Sequence, residues 1–333
     1  DRRAAGPGWM RGWRPASGPQ AAASRAALMH RVREYFAAED VLEVDTPALS
    51  PYAVSDIQIE SLAVTDSVIG GQPLYLHTSP EFCMKRLLAA GFPDIFSICR
   101  VFRDGEAGQQ HQPEFTMIEW YRLGMNLAAI IDDTLSLINR ALDDRRPDRP
   151  PVIIDYLDAM REVCGVDVRT ADSVTLADAA GADDDLRASL GDEVDDWLDL
   201  LLSTSVIPSF ATDRLTVLRH YPSTQAALAR LCPGDQAVAD RFEVFLGPVE
   251  LANGYVELVD SGELAVRFAR DNAGREQRGR PTRPVDACLL AALDAGLPEC
   301  AGVAMGFERL QMLYDKTDDI QDVITFAFEP TYD

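Results

Sequence analysis

The sequence lacks the features that mark several large classes of protein. It contains no apolar run of about 18 residues, which argues against a membrane-spanning helix. Residues 1–23 are rich in Arg, Gly, Pro and Ala but have no apolar stretch, so they predict a flexible tail rather than a secretory or other targeting signal. The six cysteines are scattered without a C-x-x-C pair, which favours reduced thiols in the interior over a disulfide framework. These absences predict a cytoplasmic protein.

Familiar nucleotide, metal and nucleophile signatures are also missing. Neither G-x-x-x-x-G-K-[ST] nor G-x-G-x-x-G occurs, so any nucleotide must bind to another architecture. The four histidines show no H-E-x-x-H spacing, which leaves a zinc site with little support. No Ser-His-Asp or Cys-His arrangement is evident, so the sequence offers no obvious covalent nucleophile.

Positive charge is scarce relative to negative charge. The chain has 31 Lys and Arg against 54 Asp and Glu, a net charge of −23. Because nucleic-acid affinity comes largely from cationic side chains that neutralise phosphates, this balance weighs against tRNA as the main substrate. An adaptation for solubility explains the same acidity equally well. The Arg-rich tail, with Arg2, Arg3, Arg11 and Arg14, is the one basic feature.

Helical and strand patterns alternate along the chain. Apolar residues at helical spacing predict helices near 24–39, 79–91, 125–143, 156–164, 174–180, 192–204, 223–231, 260–279, 284–296 and 306–315. Aromatic and β-branched segments predict strands at 41–49, 95–103, 115–122, on both sides of Gly247, near 300–304 and near 322–328. Antiparallel strands with helices around them indicate an α+β fold, with one domain over residues 24–333.

The strand at 115–122 carries the most informative polar residue. Alternation puts Phe115, Met117, Glu119 and Tyr121 on one face of the strand. An acid among apolar neighbours is costly to bury unless a cation or hydrogen-bond donors satisfy it. Glu119 is therefore either solvated at a sheet edge or a receptor for a ligand ammonium. Arg103 ends the preceding strand, where it would lie near the same site and grip phosphate or carboxylate in bidentate fashion.

The segment RFEVFLGPVELANGYVELVD gathers further acids around a Gly-Pro turn. Glu243 and Glu250 lie on either side of the turn, and two such carboxylates can hold Mg²⁺. Asn253 and Glu257 are four residues apart on a strand and so share a face. Simple alternation puts Glu250 on the opposite face, so bringing these residues together requires a β-bulge, for which Gly254 is the candidate position. A solvated acidic hairpin is the alternative.

Two further residues lie where a nucleotide would be held. GVAMGFER places two glycines before Arg309, near a predicted helix start, where backbone N–H groups favour phosphate. A capping turn with a surface arginine is the alternative for this segment. His111 lies in the long loop between two predicted strands, and long loops inside compact domains are often functional.

These segments occur in an order that resembles a known family. ICRVFRDGEAGQQHQPEFTMIEWY resembles motif 2 of the class II aminoacyl-tRNA synthetases in its lysine-specific form, and GVAMGFERL resembles motif 3. The helix and strand that end at Pro47 resemble motif 1, which usually builds a dimer interface. VELANGYVELVD resembles the lysine- and metal-binding strand of the lysyl enzymes. The resemblance covers residues 24–329 and implies a class II catalytic domain, an antiparallel sheet flanked by helices, and a homodimer.

Within that family the chain is most similar to stand-alone paralogs of lysyl-tRNA synthetase that attach a lysine to translation elongation factor P. We expect no anticodon-binding domain, since little chain precedes residue 24. Ser79 stands where synthetases usually have Ala, and Ala304 stands where they usually have Gly. HYPSTQAAL resembles a segment of the paralogs. The resemblance therefore implies elongation factor P as the protein substrate.

The resemblance also implies three groups of site residues. ATP would be bound by Arg103, Glu106, His111, Phe115 and Arg309, of which Arg103 and Arg309 would be catalytic. The amino acid would be bound by Ser79, Glu81, Glu119, Tyr121, Asn253, Glu257 and Ala304. Mg²⁺ would be bound by Glu243 and Glu250. Gly105 departs from the family pattern, which has an adenine-contacting Glu there, and Glu106 would take over that contact.

Individual roles follow from the same resemblance. Arg103 would hold the α-phosphate and the substrate carboxylate, and His111 with Arg309 would contact the outer phosphates. Phe115 would stack on adenine, with Arg309 on the other side. The two amines of the substrate would be held by separate sets of side chains, Ser79 with Glu81, and Glu119 with Tyr121, Asn253 and Glu257.

The implied reaction is an ATP-dependent ligation in two steps. The carboxylate of lysine or (R)-β-lysine attacks the α-phosphorus of ATP to give an acyl-adenylate, and a lysine amine of the acceptor then expels AMP. Both isomers fit two amine-binding acids, and Ser79 with Ala304 favours the β isomer only through the resemblance. One alternative is a lysine-type aminoacyl-tRNA synthetase or free amino-acid ligase of the same fold. Another is a catalytically inactive module that binds an amino acid or partner, for which Gly105 is the only support.

Overall fold

The helices and strands of the chain are defined by a computed structural model that describes residues 13–65 and 73–328. The strands are β1 (Leu42–Glu43), β2 (Leu49–Ser50), β3 (Ala63–Val64), β4 (Leu74–Leu76), β5 (Ile95–Phe102), β6 (Glu114–Leu123), β7 (Val152–Asp155), β8 (Leu215–Arg219), β9 (Leu231–Cys232), β10 (Asp235–Ala239), β11 (Arg241–Leu246), β12 (Val249–Val256) and β13 (Cys300–Gly306). The helices are α1 (Pro19–Ala38), α2 (Glu81–Ala89), α3 (Leu127–Leu142), α4 (Tyr156–Cys164), α5 (Ser173–Ala179), α6 (Asp184–Leu190), α7 (Val194–Leu201), α8 (Ser261–Gln277), α9 (Ala287–Gly296) and α10 (Phe307–Asp315).

One eight-stranded sheet organises these elements, in the order β1-β5-β6-β13-β12-β11-β8-β7. The six central strands pair antiparallel throughout. At the two edges, β1 pairs parallel to β5 and β7 pairs parallel to β8. The predicted α+β fold is confirmed, and the two edge pairs make the largely antiparallel sheet mixed. In the described part of the chain, no helix combines the length and the apolar character needed to cross a bilayer.

One face of the sheet is buried under α1, α3 and α10. The buried stripe of α1 consists of Leu28, Val32 and Phe36, spaced so that they share one side of the helix. Phe36 stacks on Phe96 of β5, with 4.3 Å between ring centroids. Full burial of each such apolar side chain stabilises the fold by about 1.5–3 kcal/mol. Because this face is closed by apolar packing, the polar side chains of the central strands project from the other face.

Strand β6 shows the alternation expected from its sequence. Ile118 and Trp120 are fully buried in the core beneath α1 and α3. Trp120 donates from Nε1 to Asp133 Oδ2 of α3 at 2.9 Å, which satisfies the buried indole. Glu119 and Tyr121 project from the opposite face and line a cavity. The predicted placement of Glu119 and Tyr121 on one face of this strand is confirmed.

The hairpin of β11 and β12 contains the β-bulge that the sequence requires. Glu243 pairs with Asn253 and Phe245 pairs with Glu250, so Leu251 is the extra residue of β12. Residues two apart on β11 share a face, and their partners on β12 share it too. The bulge therefore brings Glu250 to the face that carries Asn253 and Glu243.

The bulge does not lie at Gly254, the position that the sequence suggested. A Cβ added to Gly254 would lie 2.7 Å from the Phe242 ring and 2.8 Å from the carbonyl oxygen of Gly302. This glycine instead permits close packing of β12 against β11 and β13.

The first helix begins earlier than the sequence predicted. It begins at Pro19, a residue type favoured in the first turn because its missing N–H is not needed there. Residues 19–23 are therefore helical, and just before them Ala16 N–H donates to the carbonyl of Thr325 at 2.7 Å. The predicted tail is shortened at its carboxyl end, and residues 1–12 lie outside the described part of the chain.

The predicted helix at 223–231 is wrong. A 3₁₀ turn at Ser223–Gln225 is followed by irregular chain, in which Ala227 has a φ of 49°. The guanidinium of Arg267 in α8 donates to the carbonyls of Ala227 and Ala229, each at 2.7 Å. These tertiary bonds satisfy backbone groups that a helix would otherwise have paired.

The predicted strand near 322–328 is also wrong. After a 3₁₀ turn at Ile320–Asp322, the backbone of Phe328 pairs with a side chain rather than with a strand. Gln112 Nε2 donates to the Phe328 carbonyl at 3.2 Å, and Phe328 N–H donates to Gln112 Oε1 at 2.6 Å.

All six cysteines are free thiols, but they are not all interior. Cys300 of β13 is buried, whereas Cys288 is exposed and the other four are half-buried. Interior placement was therefore the wrong expectation for Cys288.

Candidate active site

A cavity of about 900 Å³ opens on the face of the sheet opposite α1 and α3. One end holds clustered carboxylates, and the other holds arginines and a histidine. The residues predicted to form the site all line it, namely Ser79, Glu81, Arg103, Glu106, His111, Phe115, Glu119, Tyr121, Glu243, Glu250, Asn253, Glu257, Ala304 and Arg309.

Glu119 lies at the carboxylate end, with only 2% of its surface exposed. Ser79 donates from Oγ to Glu119 Oε2 at 2.9 Å, and Tyr121 donates from its hydroxyl to Oε1 at 2.8 Å. Burial and the nearby charge of Glu81 raise the pKa of Glu119 to about 8. A ligand ammonium would favour the ionised carboxylate, because an opposite charge nearby lowers the pKa of an acid. The Ser79 hydroxyl thus orients Glu119. The resemblance had instead grouped Ser79 with Glu81 as the receptor of the other amine.

Glu81 and Glu257 approach Glu119 from α2 and from the residue after β12. Tyr255 donates its hydroxyl to Glu81 Oε1 at 2.7 Å. Burial raises the pKa of Glu257 to about 8, which Lys85 opposes and Glu81 reinforces. Within the described ranges, Glu257 Oε1 is buried and accepts no hydrogen bond.

Lys85 is a residue of this end that the sequence analysis missed. Its Nζ lies 2.6 Å from Glu81 Oε1 and 2.5 Å from Glu257 Oε2. Burial alone would lower the pKa of the Lys85 ammonium, but the two carboxylates outweigh burial and raise it. The available signal was the spacing of Glu81 and Lys85, since side chains four apart on a helix are neighbours.

Glu243 of β11 is paired with an arginine that the sequence analysis also missed. Arg241 Nη2 donates to Glu243 Oε1 at 2.7 Å, and Asn253 Nδ2 donates to the same oxygen at 3.2 Å. Burial raises the pKa of Glu243, Arg241 opposes this shift, and Glu250 adds to it. Asn253 Oδ1 is buried and has no hydrogen-bond partner among the described residues. The Asn253 amide is thus oriented by Glu243, with its oxygen left for a donor.

Arg103 lies just after β5, at the other end of the cavity. Its guanidinium carbon lies 5.1 Å from the centroid of the Phe115 ring, and its Nη1 lies 3.4 Å from Glu106 Oε1. Its Nε is buried without a hydrogen-bond partner in the described part of the chain. A guanidinium held this loosely keeps donors for a phosphate or carboxylate. Gly105 has a φ of 78°, which lets the chain turn between Arg103 and Glu106.

Arg309 lies in the first turn of α10 and faces His111 from the loop between β5 and β6. His111 Nε2 lies 2.8 Å from Arg309 Nη2. Burial and the Arg309 charge lower the pKa of His111, so the imidazole is neutral near pH 7 and accepts from the guanidinium. Arg309 Nη1 also donates to the Glu250 carbonyl at 2.9 Å and lies 3.4 Å from Glu250 Oε2. This end therefore presents a cationic side chain whose partners are weak enough to exchange for phosphate oxygens.

Strand β13 forms the floor between the two halves of the amino-acid site. Ala304 pairs with Glu119 on one side and with Asn253 on the other. A Cβ added to Gly302 would lie 2.5 Å from Glu257 Oε1 and would also meet an aromatic ring of β6. Small residues on this strand keep the floor of the cavity open.

A separate group of possible metal ligands is not among the residues that line the cavity. His220, Cys232 and Asp240 have ligand atoms within 4.8 Å of one another. His220 Nδ1 lies 2.6 Å from Asp155 Oδ1, and Arg230 donates to Asp240 Oδ2 at 2.8 Å. Because protein partners already satisfy His220 and Asp240, this group lends no positive support to a metal there.

Similarity to known proteins agrees with this architecture. The sequence profile of the family described as "tRNA synthetases class II (D, K and N)" matches residues 13–330. The chain belongs to this class II tRNA synthetase family. The match covers both ends of the cavity and confirms the fold class expected from the motifs.

Several class II relatives are similar over nearly the whole chain. An "Elongation factor P--(R)-beta-lysine ligase" of Sodalis glossinidius (strain morsitans) is 41% identical over 321 residues, which cover 95% of this chain and 98% of the relative. The protein of that name from Klebsiella pneumoniae (strain 342) shows the same identity and coverage. That of Mannheimia succiniciproducens is 39% identical over 318 residues, which cover 95% and 97%. The expected similarity to enzymes that act on elongation factor P is confirmed.

Proposed function

We propose that this chain is an ATP-dependent ligase that activates lysine or (R)-β-lysine as an acyl-adenylate and transfers it to a lysine side chain of translation elongation factor P. The observation that carries the proposal is a single cavity with two chemically different ends. Clustered carboxylates at one end suit the amines of a diamino acid, and Arg103 with Arg309 at the other end suits phosphates. The names and coverage of the class II relatives support the same reaction.

The first amine of the amino acid would pair with Glu119. Ser79 and Tyr121 already hold the two carboxylate oxygens in place, so little ordering is needed when the ligand arrives. Burial excludes water that would otherwise compete for this carboxylate.

The second amine would lie among Glu81, Glu257 and Asn253. Glu257 Oε1 and Asn253 Oδ1 are the acceptors without partners among the described residues. Ala304 adds a methyl group to the floor of the cavity beside Asn253. This methyl group would limit the shape of the amino-acid backbone that the site accepts.

In the first step the cationic end would align two anions. Arg103 would hold the α-phosphate beside the substrate carboxylate, while Arg309 and His111 would hold the outer phosphates. A carboxylate oxygen attacks the α-phosphorus, and the bond from phosphorus to the bridging oxygen breaks to release pyrophosphate. Alignment of this kind supplies roughly 7–11 kcal/mol at best, so the step needs no dedicated general base.

Phe115 and Glu106 would hold the adenine. The Phe115 ring offers a flat face that the Arg103 guanidinium covers. Movement of Arg103 toward the α-phosphate would free that face for the base, with Arg309 on the other side. Glu106 lies next to Arg103 and would take the place of the usual acid at Gly105.

In the second step the acceptor protein supplies the nucleophile. A neutral lysine amine attacks the acyl carbon, and the carbon–oxygen bond to AMP breaks. AMP leaves with the electron pair, the amine loses a proton to solvent, and an amide bond forms. No covalent bond to the enzyme is required at either step.

Glu243 and Glu250 fit a Mg²⁺ ion by their chemistry. Glu250 is close enough to raise the pKa of the buried Glu243, and a divalent cation relieves this repulsion. Arg241 holds one oxygen of Glu243, which leaves the other oxygen and Glu250 for the ion. Mg²⁺ held there would neutralise charge on the outer phosphates.

The test is amino-acid-dependent exchange of pyrophosphate into ATP, with α-lysine, (R)-β-lysine and leucine. We expect exchange with a lysine isomer and none with leucine, which lacks the second ammonium that the carboxylate end requires. The isomer with the higher kcat/KM is the substrate. Absence of exchange with every amino acid, in folded protein, would overturn the proposal in favour of an inactive binding module.

A second measurement identifies the acceptor. Labelled lysine should pass from the adenylate to purified elongation factor P, and not to a form of that protein in which the acceptor lysine is replaced by arginine. Transfer to tRNA instead would favour the aminoacyl-tRNA synthetase alternative.

A further inference from the structure

One cation is paired with the carboxylates at one end of the cavity. The Lys85 ammonium bridges Glu81 at 2.6 Å and Glu257 at 2.5 Å, and its side chain is 2% exposed. The Tyr255 ring centroid lies 5.6 Å from Nζ. Lys85 is also one of only two lysines among the 31 Lys and Arg of the chain. Because nearly all other basic residues of the chain are arginines, the lysine here indicates that this position suits a compact ammonium better than a planar guanidinium.

The net charge of the carboxylate end follows from four side chains. Glu81, Glu119 and Glu257 carry three negative charges when ionised, and Lys85 cancels one of them. Among the described residues, Lys85 is the only cation within ion-pair distance of these carboxylates. Two negative charges remain, and an uncompensated charge in a buried site is costly. A ligand with two ammonium groups neutralises both of them. A ligand with one ammonium leaves a carboxylate that must take up a proton.

Lys85 also determines which oxygens face the ligand. It occupies Glu81 Oε1 together with the Tyr255 hydroxyl, and it occupies Glu257 Oε2. Glu257 Oε1 stays buried without a partner in the described ranges, beside the space that Gly302 leaves open. The ion pairs therefore turn one oxygen of Glu257 toward the cavity floor.

We propose that Lys85 is a positioning residue that sets the charge of the amino-acid site, so that the site selects ligands with two ammonium groups. This inference rests on the proposed function only in taking a diamino acid as the ligand. Lys85 acts through Glu81 and Glu257 and does not itself touch the substrate.

Titratable groups surround Lys85 on four elements. They are Glu81 of α2, Glu119 of β6, Tyr255 of β12 with Glu257 just after it, and Cys300 of β13, while Tyr121 of β6 is hydrogen-bonded to Glu119. Burial raises the pKa values of Tyr121, Tyr255 and Cys300, so these three groups stay neutral near pH 7. Lys85 lowers the pKa values of Glu119 and Glu257. Its loss would leave these carboxyls protonated to higher pH, and ligand ammonium groups would then have to displace the protons.

Calorimetric titration with α-lysine and (R)-β-lysine, without ATP, tests this role. We expect Lys85→Met to weaken binding at pH 7 by at least about tenfold, because Glu119 and Glu257 then keep their protons to higher pH and the ligand ammonium groups must displace them. Part of the loss should be recovered at about pH 8.5, where the carboxyls ionise more fully. The double substitution Lys85→Met with Glu257→Gln restores a net charge of two negative charges and keeps an oxygen at position 257. It should bind more tightly than Lys85→Met alone.

Proton release gives a measure that a purely structural role would not change. Titrations in buffers of different ionisation enthalpy should show more protons released on binding to Lys85→Met than to the unsubstituted chain at pH 7. Equal affinity and equal proton release would overturn the role of Lys85. A loss of binding that neither higher pH nor the second substitution relieves would also overturn it. Failure of the unsubstituted chain to bind either isomer would overturn the proposed function as well. This outcome is distinguishable from failure of the Lys85 proposal alone, because it appears in the chain without any substitution.

Discussion

At the scale of single residues, Glu119 is the acid of the cavity whose surroundings most strongly favour a ligand cation. It is buried, and both of its oxygens are oriented by hydroxyl groups. We expect Glu119→Gln to raise the KM for lysine in pyrophosphate exchange by about 100-fold, because a buried charge pair would be lost. Glu114→Gln is the matched control, since Glu114 lies on the same strand with its side chain 55% exposed. A KM for Glu119→Gln equal to that of the control would contradict the assignment.

The affinity for lysine should also depend on pH. Glu119 and Glu257 have pKa values of about 8 in the unliganded protein, so both hold protons at pH 6. The ligand ammonium groups require ionised carboxylates, so binding must release these protons. We expect affinity to increase between about pH 6 and 8 in calorimetric titrations. An affinity that is constant or falls over this range would count against these two residues as the amine receptors.

The same two acids should lower the stability of the unliganded protein as pH rises. Each has a pKa near 8 when folded, above its ordinary value of 4.5, so the folded chain keeps a proton that the unfolded chain has lost. Their contribution to the free energy of unfolding therefore decreases from about pH 4.5 to 8 and is constant above. Denaturant unfolding across this range should show a smaller decrease for Glu119→Gln than for the unsubstituted chain. A decrease of the same size would show that Glu119 does not contribute to the loss of stability with rising pH.

At the scale of elements, the floor formed by β13 leaves little room for change. A Cβ at position 302 would lie 2.5 Å from Glu257 Oε1. We expect Gly302→Ala to lower the free energy of unfolding by about 1–3 kcal/mol through overpacking, and to raise the KM for lysine. Gly234→Ala is the control, because no heavy atom lies within 4 Å of its added Cβ and its φ is not positive. Denaturant unfolding and exchange kinetics measure the two effects, and unchanged values for Gly302→Ala would contradict the close approach.

How far the sequence predicted these elements depended on whether the deciding contacts were local. Alternation placed Glu119 on the face of β6 that lines the cavity, because a period of two is a property of the strand itself. The need for a bulge in β12 was also predictable, but its position at Leu251 depends on the register with β11. The segment 223–231 has a helical pattern, yet Arg267 from a distant helix takes its carbonyls. Lys85 was missed because its burial arises only when α2 meets the end of β12.

At the scale of the whole molecule, the sheet edge at β1 leaves apolar side chains exposed. Leu42 of β1 is 46% exposed, and Phe92 and Leu123 are each 37% exposed. Together with the resemblance of this region to motif 1, they lead us to expect a homodimer. Sedimentation equilibrium should give twice the chain mass of 36.6 kDa.

Substitutions at the surface test where the two chains meet. Leu42→Glu should shift the equilibrium toward the single chain, because a charge would be buried in an apolar contact. Val174→Glu, at an apolar residue of α5 that is 60% exposed, should leave the mass unchanged. A single-chain mass for the unsubstituted protein at micromolar concentration would rule out the expected dimer.

The buried ion pairs of Lys85 bear on whether the enzyme modifies itself. An acyl-adenylate reacts with free amines, and Lys85 contacts Glu81 and Glu257, which line the cavity where such an intermediate would form. Held as an ammonium between two carboxylates, its nitrogen has no lone pair to offer, so it is not a nucleophile. The only other lysine, Lys316, is exposed beyond the end of α10 and does not line the cavity. Neither lysine of the chain therefore offers a reactive amine at the cavity.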